Sequence, residues 1–383
     1  MSNTWWKDPE ELLEEQNDIL DLPLDENLLI QGPPGSGKTN LLLLRANHLF
    51  LGDYPNLYIV VFGTVLRNFI KLGGGQYKFP AEKVITHAAL FNLMLSEHGV
   101  KLDTEKMEFM EARRVKATAL LELIKDGKLG RIYNALLLDE AQDYLSDEII
   151  IFQSISQVLV AAADVRQQVY DVDDLSKVLP EIGNLYELKH HFRNGTEICM
   201  LADGIMSGKP NHIPMVRHSR YDETSYPSRV TPRPGLSIEQ QAEAIAEQIN
   251  DQRLAYPDEL IGVLCPRKEE VAAIFEHLNS TPLADQVTLC TGPNFVSDRR
   301  IWVSTISSAK GLEFRAVHLA GLDHLSKMRG VQRRLAFTGV TRAKTALTLY
   351  YEKSVPGYLD SSLRVFAPKK APITRSNIFG KDK

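Results

Sequence analysis

The feature that most constrains the fold of this chain is a glycine-rich run at residues 32–39, with the sequence Gly-Pro-Pro-Gly-Ser-Gly-Lys-Thr. It fits the pattern GxxxxGK[ST], follows the apolar residues 28–30 and precedes the leucine-rich residues 41–44. In this order of strand, loop and helix, backbone amides and the helix N-terminus favour a bound phosphate group. We therefore predict a phosphate-binding loop in which Lys38 reaches the outer phosphates and Thr39 is a Mg²⁺ ligand.

Two adjacent acidic residues provide the partner that such a loop requires. Asp139 and Glu140 directly follow the apolar residues 136–138, which read as the end of a buried strand. Asp139 is predicted to hold Mg²⁺, directly or through water, and Glu140 to polarise the attacking water. Adjacent acids after a strand also occur as plain helix caps, and these residues alone leave that interpretation open.

Short apolar runs alternate with longer, polar-faced segments along the chain. The runs fall at residues 28–30, 57–62, 136–138 and 158–162, and again at 261–264, 301–304, 317–320 and 346–350. Continuous apolar runs between helical segments indicate α/β units around mostly parallel sheets. Because 383 residues normally form two or three domains, the two series predict two domains of the same type, residues 1–180 and 181–383.

Three segments depart from that alternation. Residues 94–135 are predicted to hold a small helical insertion, with one amphipathic helix at residues 104–126. The proline- and arginine-rich residues 210–234 cannot form a helix or a central strand, and a solvated loop and a nucleic-acid-contacting loop are the alternatives. The basic tail at residues 369–383 is predicted to be flexible.

Charge and cysteine content exclude several classes of protein. The formal net charge is −5, so any nucleic-acid contact must be a local basic strip rather than a general coating. Cys199, Cys265 and Cys290 lie far apart without CxxC spacing, so neither a disulfide framework nor a zinc site is indicated. Without a membrane-length apolar run or a secretory signal, we expect a cytoplasmic protein with no membrane partner.

Beyond the glycine-rich loop and the acidic pair, further segments complete a pattern. Over residues 16–350 the chain resembles superfamily 1 helicases of the UvrD/Rep type. The similar segments are IVVFGT at 59–64, TH at 86–87, ADVRQQVY at 163–170, LKHHFR at 188–193, TISSAKGLEF at 305–314 and RRLAFTGVTRA at 333–343. The last two are the most specific. The resemblance implies two tandem RecA-like P-loop domains, each a mostly parallel sheet flanked by helices, with ATP and Mg²⁺ bound in the cleft between them.

The resemblance also assigns roles to individual residues. The implied catalytic residues are Lys38, Glu140, Gln167, Arg193 and Arg342, with Gln167 as γ-phosphate sensor and the two arginines acting from the second domain. The implied ATP contacts are Gln16, Gly32, Pro33, Pro34, Gly35, Ser36, Gly37, Lys38, Thr39, Asn40, Phe192, Arg193, Gly311, Glu313 and Arg342. The metal ligands are Thr39 and Asp139, and the nucleic-acid contacts are Phe62, Thr64, Thr86, His87 and Thr305. Taken alone, Gln16 would be interpreted as a surface residue and Phe62 as a core residue.

The chain departs from the family pattern at several positions. Asn40 stands where the family has an arginine, Ser307 where it has a histidine and Phe192 where it has a tyrosine. Residues 171–174, Asp-Val-Asp-Asp, replace an aromatic-Arg-Gly element that stacks a DNA base, so one stacking residue is missing from the motif set. Only about 45 residues separate the Thr-His pair from the acidic strand, so large accessory domains are expected to be absent.

The favoured function is an ATP-dependent helicase or translocase that moves on single-stranded DNA, in the 3′ to 5′ direction by resemblance, with RNA as an alternative partner. A first alternative is a helicase-like, nucleic-acid-sensing ATPase subunit of a multi-protein complex without independent unwinding, for example an anti-phage complex with a nuclease. A second alternative, a P-loop switch that binds only protein, is disfavoured by Arg193 and Arg342.

Overall fold

The computed structural model of the protein describes residues 9–72, 77–164, 179–209, 212–290, 295–296, 298–328 and 331–366. Three of the sequence-based predictions concern other residues. The γ-phosphate sensor Gln167, the acidic segment 171–174 and the basic tail 369–383 lie outside the described residues.

One six-stranded sheet is built from the first part of the chain. Its strands are β1 Leu28–Gln31, β2 Leu57–Val61, β3 Val84–Thr86, β4 Tyr133–Leu138, β5 Ser156–Ala163 and β6 Asn184–Glu187. They lie in the order β3-β2-β4-β5-β1-β6, and each neighbouring pair is parallel. β6 pairs with β1 and begins at Asn184, so this sheet includes a strand that lies after residue 180 in the chain.

A second six-stranded sheet is built from the later part of the chain. Its strands are β7 Arg229–Pro234, β8 Ile261–Cys265, β9 Val287–Leu289, β10 Ile301–Thr305, β11 Phe314–Leu319 and β12 Ala343–Tyr351. They lie in the order β7-β12-β11-β8-β10-β9, again with parallel neighbours. The predicted class, α/β with two mostly parallel sheets, is confirmed.

Helices connect the parallel strands and cover the sheets. Their bounds are α1 Glu14–Leu20, α2 Lys38–Leu51, α3 Thr64–Leu72, α4 His87–Glu97, α5 Phe109–Lys125, α6 Ser146–Ile155, α7 Thr196–Met206, α8 Ile238–Ala255, α9 Lys268–Asn279, α10 Gln332–Val340 and α11 Gly357–Leu363. The helix predicted at residues 104–126 is α5. Within the part of the chain that the structure describes, no helix has the length and apolarity needed to cross a membrane.

The central strand β1 shows why its residues are apolar throughout. Leu28 and Ile30 point to one face of the sheet, into a core that contains the leucines of α2. Leu29 points to the opposite face, into a core built on α4, α5 and α6. Successive strand residues alternate between faces, so helices on both sides demand apolar residues at every position.

All eight predicted apolar runs overlap strands, whereas β3, β6, β7 and β9 were not predicted. Two of these strands, β3 and β9, have only three residues, too few for a recognisable pattern. β7 includes Pro232 and Pro234 and lies at the edge of its sheet, paired only with β12. An edge strand tolerates proline because one side needs no N–H donors. The loop prediction is therefore wrong for residues 229–234, while the exclusion of a central strand is confirmed.

Candidate nucleotide site and nucleic-acid interface

The glycine-rich run forms a tight loop between β1 and α2. Gly35 and Gly37 have φ angles of 74° and 85°, a left-handed conformation that favours glycine. Lys38 begins α2 and donates hydrogen bonds from Nζ to the carbonyl oxygens of Gly32 and Pro33, both at 2.9 Å. The loop therefore curves around the first turn of the helix, where backbone N–H groups favour a phosphate.

Gln16, predicted to contact ATP, is buried beside this loop. Its Nε2 donates to the carbonyl of Ser36 at 2.9 Å, and its Oε1 accepts from the backbone N–H of Leu13 at 3.0 Å. A Cβ atom on Gly37 would lie 2.7 Å from Nε2, so the amide packs directly on the loop. Asn40, which replaces the family's arginine, is also buried. Gln16 is thus not the surface residue that a lone glutamine would suggest.

The two acidic residues lie at the carboxyl end of β4, next to α2. Thr39 donates from Oγ1 to Oδ2 of Asp139 at 3.0 Å. Glu140 has a φ of 53°, the only positive φ recorded for a non-glycine residue among the described residues. Its backbone N–H donates to Asp139 Oδ1 at 3.0 Å, and its carboxylate accepts from Gln142 at 2.5 Å. A non-glycine residue in this conformation is strained and marks a position fixed by its surroundings.

The pKa values of the two acids shift in opposite directions. Burial, helped by the negative charge of Glu140, raises the pKa of Asp139. Burial also acts to raise the pKa of Glu140, but the positive charges of Lys310, Arg342 and Lys38 outweigh it and the net shift is downward. Glu140 is therefore held ionised, as a group that accepts a proton must be.

A pair of cations from the second half of the chain holds Glu313 opposite the P-loop. Arg193 donates from Nε to Glu313 Oε2 at 2.7 Å, and Lys344 Nζ lies 2.7 Å from Glu313 Oε1. Burial opposes ionisation of Glu313, but the charges of Lys344 and Arg193 prevail and lower its pKa to about 2. Phe192 precedes Arg193, and its N–H donates to the carbonyl of Gly35 at 3.0 Å. The hydrogen bond from Phe192 joins the second half to the P-loop.

Arg342 directly precedes β12 and is 1% exposed. It donates from Nε to the carbonyl of Thr338 at 3.1 Å and from Nη1 to that of Leu312 at 3.0 Å. Burial and the positive charge of Arg193 lower the pKa of Arg342 to about 9, so the group remains a cation near neutral pH. Placing the buried charge of Arg342 near that of the partly buried Arg193 is costly unless an anion lies between them.

A charged contact that the motif assignments did not predict joins the two halves near Glu140. Lys310 of the second half is 2.5 Å from Asp143 Oδ2 and 3.6 Å from Glu140 Oε2. All three side chains are almost fully buried. Lys310 belongs to the quoted segment TISSAKGLEF, so the motif contained the residue, but only the folded structure shows which acid it meets.

A cavity of about 360 Å³ lies between the two halves, lined by residues of the P-loop, the acidic pair and the second half. The predicted residues on its wall are Gln16, Pro34, Gly35, Gly37, Lys38, Thr39, Asn40, Asp139, Glu140, Phe192, Arg193, Gly311, Glu313 and Arg342. Gly32, Pro33 and Ser36 lie in the same loop but not on the wall. A Cβ on Gly311, whose φ is 81°, would be 2.6 Å from the side chain of Leu66, so the halves also meet closely here.

Sequence reasoning missed six residues on the cavity wall: Glu11, Leu12, Tyr226, Glu259, Arg315 and Lys344. The guanidinium of Arg315 lies 4.5 Å from the centre of the Tyr226 ring and forms an ion pair with Glu259. Arg315 directly follows the quoted segment that ends at Phe314, so its proximity could have been suspected. Tyr226 lies in the proline-rich segment, which shows no motif.

The predicted nucleic-acid contacts in the first half cluster at the ends of β2 and β3. Phe62 stacks on His87 with ring centres 4.8 Å apart and an interplanar angle of 15°. His87 is 3% exposed, and burial with the nearby charges of Arg113 and Lys116 lowers its pKa to about 3. Thr86 is also buried and accepts a hydrogen bond from the N–H of Ala89 as the cap of α4. The structure thus places Thr86 and His87 behind Phe62 rather than at the surface.

The two remaining contacts lie in different halves. Thr64 is exposed at the first position of α3, two residues after Phe62. Thr305 ends β10 in the second sheet and donates from Oγ1 to Ser308 Oγ at 2.9 Å. The structure therefore brings Phe62, Thr86 and His87 together, and places Thr64 beside them and Thr305 apart.

Two parallel sheets flanked by helices, with a P-loop in one half and two arginines from the other lining the same cavity, define a protein of tandem RecA-like architecture. Residues 300–350 match the family model of the UvrD-like helicase C-terminal domain. The matched span includes Lys310, Glu313 and Arg342. It confirms the resemblance to superfamily 1 helicases of the UvrD/Rep type.

Two solved helicase structures also align with the chain. The structure of PRRSV helicase has 16% identity and a TM-score of 0.41, over 88% of this chain and 54% of that one. The C-terminal domain of a possible DNA helicase from Lactobacillus plantarum WCFS1 has 22% identity and a TM-score of 0.32, over 44% of this chain and 91% of that one. The chain spans about half the length of the PRRSV helicase chain. Both TM-scores are low, so the fold assignment stands on the sheet topology. No curated protein sequence matches.

Proposed function

We propose that the chain is an ATP-hydrolysing motor that moves along single-stranded DNA and is stimulated by it. The observation that carries the proposal is the cavity wall, where Lys38 and Glu140 of the first half lie opposite Arg193 and Arg342 of the second. A triphosphate bound there would be contacted by cations from both halves. Hydrolysis would then require the halves to be together, which links the chemistry to their relative movement.

The residues around the P-loop fit the chemistry of a bound Mg²⁺ ion. Thr39 and Asp139 present oxygen atoms 3.0 Å apart, and Mg²⁺ prefers a few oxygen ligands from protein completed by water and phosphate. When bound, the ion neutralises charge on the phosphate oxygens. Lys38 would contact the same oxygens from the loop, and the ionised Glu140 would orient the attacking water and accept its proton.

The arginines of the second half would stabilise the transition state. Charge spreads over the oxygens of the transferred phosphoryl group, and fixed guanidinium groups stabilise it without further reorganisation. Arg342 is already held by two carbonyl groups, whereas Arg193 is paired with Glu313. We expect Arg193 to turn partly from Glu313 towards the γ-phosphate.

The bound DNA strand is proposed to lie across the carboxyl ends of the β-strands of both sheets. Phe62 and Thr64 follow β2, and Thr305 ends β10, so one residue group from each half lies at the corresponding edge. Ligands of parallel α/β sheets bind at this edge. Polarity from 3′ to 5′ rests on the resemblance alone.

The test is the ATPase rate against single-stranded, tailed and blunt DNA and the corresponding RNA molecules. We expect stimulation by single strands and little by blunt duplex. Stimulation only by RNA would replace DNA as the partner. A protein with basal activity that no nucleic acid increases would refute the motor.

One observation favours a second candidate, a sensing ATPase subunit without independent unwinding. The span from β3 to β4 is described throughout and contains only α4 and α5, so no accessory domain is inserted there. A motor of this kind could move on a strand without separating a duplex, and a nuclease or other protein could complete it. Strand-displacement assays of the isolated chain, with mass analysis of proteins purified with it, distinguish the two.

A further inference from the structure

Phe109 is an aromatic residue beside the proposed strand site that no motif assigns. It is the first residue of α5, and its side chain is 49% exposed. Its ring centre lies 6.3 Å from that of Phe62, with the ring planes at 75°. Phe62 itself is partly buried, so Phe109 is the outer member of the pair.

The guanidinium group of a buried arginine, Arg113, contacts both rings. The Arg113 guanidinium lies 5.0 Å from the ring centre of Phe62 and 5.6 Å from that of Phe109. Arg113 is held in turn by Glu148, at 2.5 and 3.0 Å, and by the backbone carbonyl of Asp143 at 2.9 Å. Its orientation is therefore set by three hydrogen bonds, and a rigid aromatic surface loses little entropy when a ligand stacks on it.

The same helix face supplies positive charge. Phe109, Arg113 and Lys116 are spaced by four and three residues, so their side chains lie on one side of α5. The charge of Lys116 reaches the cluster, since it contributes to the lowered pKa of His87. An exposed ring with a nearby ammonium group suits an unpaired base that carries its own phosphate.

We propose that Phe109 and Phe62 form a stacking shelf for an unpaired nucleobase of the bound strand, with Phe109 as its outer wall. The occupant follows from continuity: Phe62 is at the carboxyl edge of the sheet, where the strand is expected, and Phe109 extends that surface outward. The inference rests on the proposed function and names a subsite of it. Phe109 belongs to the inserted helical segment, far in sequence from residues 171–174, where the family's stacking element would stand.

The experiment compares two probes, an oligothymidylate and a chain of abasic phosphodiester units of equal length. Phe109→Ala should weaken oligothymidylate binding about fivefold to 150-fold while leaving abasic binding within about twofold. Phe109→Tyr, which keeps a ring, should restore most of the affinity. Met200→Ala, at a side chain of similar exposure (42%) on α7 of the other half, is the matched control and should bind as the wild type does.

Fluorescence quenching detects base stacking directly, without relying on a loss of binding affinity. In Phe109→Trp the added tryptophan emission should be quenched by oligothymidylate and not by the abasic chain, because only a base can stack on the indole ring. Unchanged oligothymidylate affinity in Phe109→Ala, or equal loss with both probes, would overturn the shelf while leaving the motor intact. A wild-type protein that binds neither probe would overturn the motor and the shelf together.

Discussion

Glu140 combines a strained backbone with a carboxylate kept ionised by cations from both halves. That combination is typical of a residue held in place for chemistry rather than for stability. We expect Glu140→Gln to retain ATP binding, because the amide preserves size and hydrogen bonding. Hydrolysis should fall by about a hundredfold or more, since an amide does not accept the proton.

Equilibrium binding of a labelled nucleotide and single-turnover hydrolysis separate these two effects. Gln142→Ala is a useful companion variant, because it removes the hydrogen bond to Glu140 and leaves its carboxylate. Hydrolysis at the wild-type rate by Glu140→Gln would contradict the assigned role.

His318 gives a pH prediction that is independent of the cleft. It lies on β11, fully buried, and contacts the Tyr350 hydroxyl at 3.0 Å and Gln252 Oε1 at 2.9 Å. Burial lowers its pKa to about 3. The unfolded chain binds a proton below its ordinary pKa of about 6.5 and the folded chain does not, so stability falls as the pH falls through this window.

Replacing His318 by Gln should remove that contribution. Between about pH 7 and about pH 5, the wild type should lose up to about 2 kcal/mol more unfolding free energy than His318→Gln. Urea denaturation followed by tryptophan fluorescence at the two pH values measures the difference. His48→Gln, at an exposed position, should show the wild-type pH dependence.

At the residue scale, motif patterns predicted the groups that must occur in a fixed order but not their partners. Lys38, Asp139, Glu140 and Arg342 carry recognisable spacing because the loop and the strand ends demand it. The pairing of Lys310 with Asp143 depends on how the two halves meet, and no local pattern encodes that. Thr86 and His87 matched a motif as well, yet their backbone positions turn both side chains inward.

At the scale of elements, α5 is anchored by a buried ion pair. Arg113 and Glu148 are 5% and 0% exposed and connect α5 to the first turn of α6. Breaking a buried pair leaves an uncompensated charge, so Arg113→Ala should destabilise the protein by about 3 to 5 kcal/mol. The double variant Arg113→Met with Glu148→Leu should recover most of that loss, because neither charge then remains.

Chemical denaturation of the single and double variants tests the pair. Arg114→Ala, at the neighbouring exposed position, is the matched control and should change stability by about 0.5 kcal/mol or less. A single variant as stable as the wild type would show that the pair does not anchor α5.

Strands with a continuous apolar run were predicted from the sequence. Strands that form only because a neighbouring strand pairs with them were not. The residues of β4, β5 and β12 are mostly apolar because helices cover both faces of each sheet. By contrast, β3 and β9 are strands only because an adjacent strand offers hydrogen bonds to three residues. β7 carries prolines that argue against a strand everywhere except at an edge, and sequence alone does not locate the edge.

At the scale of the whole molecule, the order of motifs predicted that both halves share one site. Arg342 tests this directly, because it reaches the cavity from the half without the P-loop. We expect Arg342→Ala to lower the hydrolysis rate by about a thousandfold or more, as loss of an arginine finger does. Nucleotide binding through the first half should persist.

The matched control for Arg342 is Arg333→Ala. Arg333 lies on α10 and stacks on Tyr358, away from the cavity wall. Single-turnover hydrolysis should be unchanged in this variant. Normal hydrolysis by Arg342→Ala would mean that one half suffices for catalysis.

The backbone of Gly35 lies very close to the side chain of Arg193. A Cβ on Gly35 would lie only 2.4 Å from the Cβ of Arg193, so one added methyl group would act as a wedge between them. An alanine at position 35 is therefore incompatible with the position that Arg193 occupies beside the P-loop. The glycine that suits the left-handed turn of the P-loop also leaves room for an arginine of the second half, so one residue determines both the shape of the loop and the contact between the halves.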